Sequence, residues 1–172
     1  TGPVCSLTTG DTYAWTSCVH AEASACWLQC NTVHTNGYWA IVTGERPHPA
    51  ITIANARDSI VAHMLFQSAV NTDTDGGGGM RVESSTDMIL HSMQFQSCTA
   101  ARGGSLLIRD SRNIVVRGSV HFGSTAQYGG GLAIVDSSVS VQGTTMYGCS
   151  STAQDDVAGG GMFVAGSQPA SL

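Results

Sequence analysis

Gly77-Gly78-Gly79-Met80-Arg81-Val82 returns in this chain as Gly103-Gly104-Ser105-Leu106-Leu107-Ile108. It returns again as Gly129-Gly130-Gly131-Leu132-Ala133-Ile134 and once more as Gly159-Gly160-Gly161-Met162-Phe163-Val164. Pro49-Ala50-Ile51-Thr52-Ile53 is a first copy without the glycines. With Ile51, Met80, Leu106, Leu132 and Met162 taken as equivalent, the steps are 29, 26, 26 and 30 residues. Self-similarity at such a period marks a solenoid, in which each repeat is one supersecondary unit stacked on the next.

Within each copy the apolar start is followed by two columns of corner formers. The first is Asn55, Ser84, Asp110, Asp136 and Gly166; the second is Ala56, Ser85, Ser111, Ser137 and Ser167. Short polar side chains and glycine favour tight corners because they bond local backbone or tolerate left-handed geometry. A second apolar run comes next: Ile60-Val61, Met88-Ile89-Leu90, Ile114-Val115-Val116 and Val139-Ser140-Val141. An aromatic closes the copy: Phe66, Phe95, Phe122 and Tyr147. It falls 15 residues after the start in three copies and 16 in the other, which reads as one gained residue.

Three short strands per copy, separated by Gly/Ser/Asp corners, point to an all-β right-handed parallel β-helix. Helix is disfavoured, since each glycine cluster costs roughly 1 kcal/mol per residue there. Propeller blades need longer units, of about 40 residues. Equivalent residues should then stack about 4.8 Å apart. Ile51/Ile53, Met80/Val82, Leu106/Ile108, Leu132/Ile134 and Met162/Val164 form the expected core, with the four aromatics stacked inside one corner. For the middle strand the alternation leaves the inward face open.

The 172 residues fit one domain, with coils over 49–172 and an irregular N-terminal cap over 1–48. Hydrophobic residues make up 42% and charged residues 11%, a composition suited to a stacked core. All seven basic residues are arginine and the net charge is −5, so nothing points to nucleic acid or an anionic membrane. No apolar run approaches the roughly 20 residues of a spanning helix, and no signal peptide is visible. The start at Thr1 and the stop partway into a coil, at Ser171-Leu172, read as a processed chain or an excerpt. Cys5, Cys18, Cys26 and Cys30 lie in the cap and are expected to form disulfides, in any of three pairings. Cys26 and Cys30 with His34 match a zinc pattern only loosely. Cys98 and Cys149 fall two coils apart, about 9–10 Å, too far to bridge. Disulfides in the cap imply an oxidising, extracellular setting.

The repeat resembles a known one. Gly78-Gly79-Met80 with Phe95-Gln96-Ser97-Cys98, Gly104-Ser105-Leu106 with Phe122-Gly123-Ser124-Thr125, and Gly130-Gly131-Leu132 with Tyr147-Gly148-Cys149-Ser150 carry the resemblance. These pairs resemble the repeats of polymorphic outer-membrane proteins, which are surface autotransporter adhesins, and are similar more broadly to pectin-lyase-like β-helices. The resemblance covers about residues 49–166. It departs at the asparagine that usually ends the second motif, whose place is held by Ala69, Cys98, Thr125 and Ser150. What it implies is an elongated, surface-displayed module; it carries over no catalytic residue.

Asn71-Thr72-Asp73-Thr74-Asp75-Gly76 copies the opening of a calcium loop, with oxygen ligands at Asn71, Asp73 and Asp75 and glycine at the sixth place. The twelfth place holds Val82 where a bidentate Glu is needed, so a solvated loop is the plainer reading. On the first strand Glu83 and Arg109 share a column, with Arg81 nearby, and Asp110 and Asp136 stack at the corner. Such groups could serve a polysaccharide lyase or glycoside hydrolase, but a salt bridge and a turn ladder are commoner. His63, His91 and His121 fall at different places in their coils and form no triad. Outward beside the core stand Thr52, Arg81, Leu107, Ala133 and Phe163. Leu107, Ala133 and Phe163 read as a contact surface for a partner or for more of the chain. The expected role is a non-catalytic extracellular structural or adhesive solenoid, contacting glycan or protein, with self-assembly or a larger parent chain continuing it at the C-terminal end. A carbohydrate-active enzyme is the alternative.

Overall fold

The computed structural model describes residues 27–28, 41–46, 49–153 and 158–166, and over them the chain is all-β. Three parallel sheets run along a β-solenoid of about four coils. The first sheet stacks Ile51–Ala54, Met80–Glu83, Leu106–Arg109, Leu132–Val135 and Met162–Ala165 in that order. Its register pairs Ile51, Met80, Leu106, Leu132 and Met162 in turn, as the repeat predicts. The second sheet stacks Trp27–Leu28, Arg57–Ala62, Thr86–His91, Arg112–Arg117 and Val139–Gln142. In the third, Ile41–Arg46 and Leu65–Asn71 precede Gln94–Gln96, Val120–Phe122 and Thr145–Tyr147. A further limb of that sheet runs through Thr99–Arg102, Thr125–Tyr128 and Ser150–Ser151. Parallel stacking thus begins N-terminal to residue 49, across the boundary expected between cap and coils. Cys5, Cys18, Cys26 and Cys30 lie outside the described residues.

Inward residues of the three sheets form one apolar column system. Met80, Val82, Leu106, Ile108, Leu132 and Ile134 are wholly buried. The middle strand, undecided from sequence, turns Ser59/Val61, Met88/Leu90, Ile114/Val116 and Val139/Val141 inward and leaves Ile60, Ile89, Val115 and Ser140 on the outer face. At the last described coil the same columns open: Val141, Met146 and Met162 are only half-buried and Val164 is 46% exposed.

Corners are where a solenoid risks stranding backbone groups, and serines resolve the first one. Ser111 Oγ donates to Arg109 C=O at 2.7 Å and accepts Ser85 N–H of the preceding coil at 3.1 Å. Ser85 does the same for Glu83 and Ala56, and Ser137 for Val135 and Ser111. Each hydroxyl stands in for a missing peptide link between coils, and all three serines are buried. Glycine is needed for two separate reasons. Gly103 has φ +55°, a left-handed turn residue. Gly104 has ordinary φ, but a Cβ there would overlap the carbonyl oxygens of Gly130 and Thr125 in the next coil.

The aromatic column departs from expectation. Phe66 and Phe95 are buried and stacked at 4.8 Å, but the third member is His121, stacked on Phe95 at 4.8 Å and 15°. Met146 takes the fourth place. Phe122 and Tyr147 face outward instead. The reason is register. Every paired position in the second and third coils differs by 26, from Met80/Leu106 through Phe95/His121 to Thr99/Thr125. No residue is gained in the third coil. The fourth has lost one, because Ile114 pairs with Val139 while Leu106 pairs with Leu132. The same register puts Ser124 and Cys149, not Thr125 and Ser150, above Cys98 in the column where the adhesin repeats carry asparagine.

Ser111→Ala should destabilise the protein by about 1–3 kcal/mol, since it strands the buried N–H of Ser85, while the Arg109 carbonyl keeps the N–H of Ser84. Urea unfolding measures this; a loss below about 0.5 kcal/mol, the range of ordinary surface substitutions, would mean the ladder contributes nothing.

Candidate functional site

The connection from the third sheet back to the first is long before Met80, and there the chain folds around one carboxylate. Asp73 Oδ1 accepts the N–H groups of Asp75 at 2.9 Å and Gly76 at 3.0 Å, and Asn71 Nδ2 at 3.1 Å. Asn71, 4% exposed, accepts Asp73 N–H and donates to the Gly76 carbonyl at 2.9 Å. Two arginines of the first sheet close over this loop. Arg81 lies 3.4 Å from Asp73, 3.5 Å from Asp75 and 3.5 Å from Glu83. Arg109 reaches Glu83 at 2.8 Å and Asp75 at 3.3 Å. Partial desolvation works against the charge on Arg109, but Asp75 and Glu83 outweigh it and raise its pKa.

The candidate calcium ligands Asn71, Asp73 and Asp75 are therefore together, with their oxygens engaged by loop N–H groups and guanidinium. A cation binding there has to displace those bonds and oppose two positive charges. Among the described residues, no group of three or more His, Cys, Asp or Glu side chains is placed to hold a metal. Glu83 and Arg109 form the expected salt bridge. Asp110 and Asp136 occupy left-handed corners, with φ of 51° and 47°.

The expected contact surface at Leu107, Ala133 and Phe163 is not an open one. Leu107 is 1% and Ala133 0% exposed, buried by the chain itself. Phe163 is half-buried and meets the Tyr128 ring at 5.3 Å. The sequence pattern showed these side chains leaving the core, but not that the glycine-rich connections fold back beside that strand. Gly129, for example, lies close enough to Phe163 Cβ that an added methyl would meet it at 3.0 Å.

Exposed apolar surface lies instead on the third sheet. Its outward columns read Leu65, Gln94, Val120, Thr145 and Gln67, Gln96, Phe122, Tyr147. None of these eight side chains is charged. Val120 is 38%, Phe122 41% and Tyr147 68% exposed, and the Phe122 and Tyr147 rings stack at 5.5 Å and 12°. Around the adjoining corner Thr125 and Ser150 hydroxyls meet at 3.2 Å. The signal for this face was present in the constant 26-residue step, which moves Phe122 out of the core column.

Inside the same sheet lies a histidine that the sequence assigned to no column or triad, and that the structure sets in the core column over Phe95. His121 is 0% exposed, and neither ring nitrogen has a hydrogen-bond partner within the protein. Burial pushes its pKa down to about 4. Cys98 and Cys149 are free thiols at the neighbouring corner. Burial raises both, Cys98 to about 11. His63 and His91, on adjacent coils, meet edge to face at 5.2 Å. Burial lowers His91, aided by the charges of His63 and Arg117.

Asp73→Ala should free the loop: about 1–3 kcal/mol of stability is lost, and the Asp75 and Gly76 amides exchange faster. Asp73→Asn keeps an acceptor oxygen and should lose less. If the two variants are equally damaging by hydrogen exchange, the carboxylate acts by charge and not by holding those amides. Comparison of the chain with family models, with curated proteins and with solved structures returns no match.

Proposed function

We propose that this chain is a non-catalytic, extracellular structural and adhesive β-solenoid that contacts neutral glycan through the outward face of its third sheet. The observation that carries this reading is where exposed apolar area gathers. Of the four well-exposed large apolar side chains among the described residues, Val120, Phe122 and Tyr147 share this one face. Stray exposed apolar residues need no explanation, but a contiguous group on a regular ladder does. Its chemistry suits sugars: aromatic rings for C–H faces, and the amides of Gln67, Gln94 and Gln96 with the hydroxyls of Thr125, Thr145 and Ser150 for sugar hydroxyls. The likeness of the Gly-Gly and Phe motifs to adhesin repeats points the same way.

Assembly is the second part of the reading. A coil stacked on Met162–Ala165 would bury the half-open ends of the core columns and pair an edge that no other described strand pairs. Catalysis is not part of it. The carboxylates that come together at Asp73, Asp75 and Glu83 are each ion-paired to arginine. Among the described residues no helix is long and apolar enough to cross a membrane.

Affinity electrophoresis through gels holding neutral or acidic polysaccharides tests the contact role. The protein should be retarded by a neutral polysaccharide, and Phe122→Ser with Tyr147→Ser should weaken that retardation at least tenfold, about 1.4 kcal/mol, with thermal stability kept. No retardation, or equal retardation of the double variant, would sink the glycan reading. New reducing ends or unsaturated products in the gel would overturn the non-catalytic one.

A further inference from the structure

We infer that His121 makes the last described coil of the third sheet acid-labile: protonating its imidazole opens Thr145–Tyr147 and Ser150–Ser151 while the coils beneath stay closed. The inference is independent of the glycan reading. The imidazole sits in the core column with no acceptor or donor for either ring nitrogen. On one side Phe95 stacks on it at 4.8 Å, and Phe95 is itself backed by Phe66 at 4.8 Å. On the other side the paired position is Met146, only half-buried, next to Tyr147 at 68% exposure. An imidazolium needs water or an acceptor at both N–H groups. The Phe95 ring offers it some cation–π attraction but no acceptor. Water can reach it by lifting either neighbour, and lifting the Met146 side disturbs, among the described residues, a single layer that is already half-open.

Among the described residues no charged group complicates this. On its own strand Val120 and Phe122 point outward. The neighbouring strands present Phe95 and Met146. The titratable groups at the adjoining corner are the thiols of Cys98 and Cys149, whose pKa values burial raises, so both are neutral in acid. The shift on His121 comes from burial alone.

The sign follows from linkage. The closed coil holds His121 near 4 against an ordinary 6.5, so opening takes up a proton between those values. The open population therefore grows as pH falls through 6.5 and levels off below about 4. At pH 5 it should be about 30-fold larger than at pH 7.5.

Hydrogen exchange corrected for intrinsic rates tests it, read at Thr145 and Ser150, whose N–H groups bond to Ser119 and Ser124 of the coil beneath. A rise near 30-fold from pH 7.5 to pH 5 at these amides, with Gln94 and Phe95 unchanged, is the expected result. His121→Phe, continuing the aromatic column, should abolish the rise, and His121→Met serves the same purpose should the phenylalanine variant fail to fold. A pH-independent wild type, a rise spread equally to Gln94 and Phe95, or a rise kept in both variants would overturn the inference.

Discussion

Parallel pairing of each coil with its neighbours is the constraint on which this structure depends. Once Met80 lies over Ile51 and Leu106 over Met80, hydrogen bonding carries the same offset around the coil, because each paired residue positions the next. Like then stacks on like. An apolar residue facing inward is covered above and below by its own equivalents, so burial comes from repetition and not from any long-range fold. The corners obey the same rule. A serine that bridges the carbonyl two residues before it and the amide of the coil below needs only a backbone N–H at the equivalent place, so the ladder of Ser85, Ser111 and Ser137 ends on Ala56 without loss. Gly78, Gly104 and Gly130 stack for the complementary reason: the corner brings backbones too close for any Cβ.

Departures from the repeat are where chemistry appears. The longer connection after Val70 escapes the column rule and folds on itself instead, around Asp73, with Arg81 and Arg109 holding it to the first sheet. Several partly exposed ion pairs of this kind are individually weak, but sharing two arginines among three carboxylates lowers the entropy lost per contact. The missing residue in the fourth coil is a second departure. Asn113, whose side chain bonds Asp87 of the coil below, has no counterpart after Asp136. The third-sheet face is built from a third: glutamines in the first two coils give way to Phe122 and Tyr147 in the same column. A stacked aromatic pair outside and a stacked histidine inside are one event, since adjacent residues of a strand face opposite ways.

The period, the parallel strands, the first-sheet core and the corner columns were all legible in the sequence, because a solenoid writes each structural role once per coil at nearly constant spacing. The salt bridge of Glu83 with Arg109 was legible for the same reason, as a column of two. Aromatic residues misled at Phe122 and Tyr147. Composition favoured an aromatic inside, yet a one-residue change of step would have broken every hydrogen bond from Arg112 to Tyr128, and register prevailed over hydrophobicity.

What the amino-acid order determined by itself is the repeating coil, since local turn chemistry and alternation suffice to specify it. What only the tertiary structure decided is which surface is open. Leu107 and Ala133 look outward from their strand and are buried by the rest of the chain, which the alternation along one strand does not encode. Phe122 and Tyr147 look like core and are exposed, because the offset that places them is a property of paired coils and not of either coil alone.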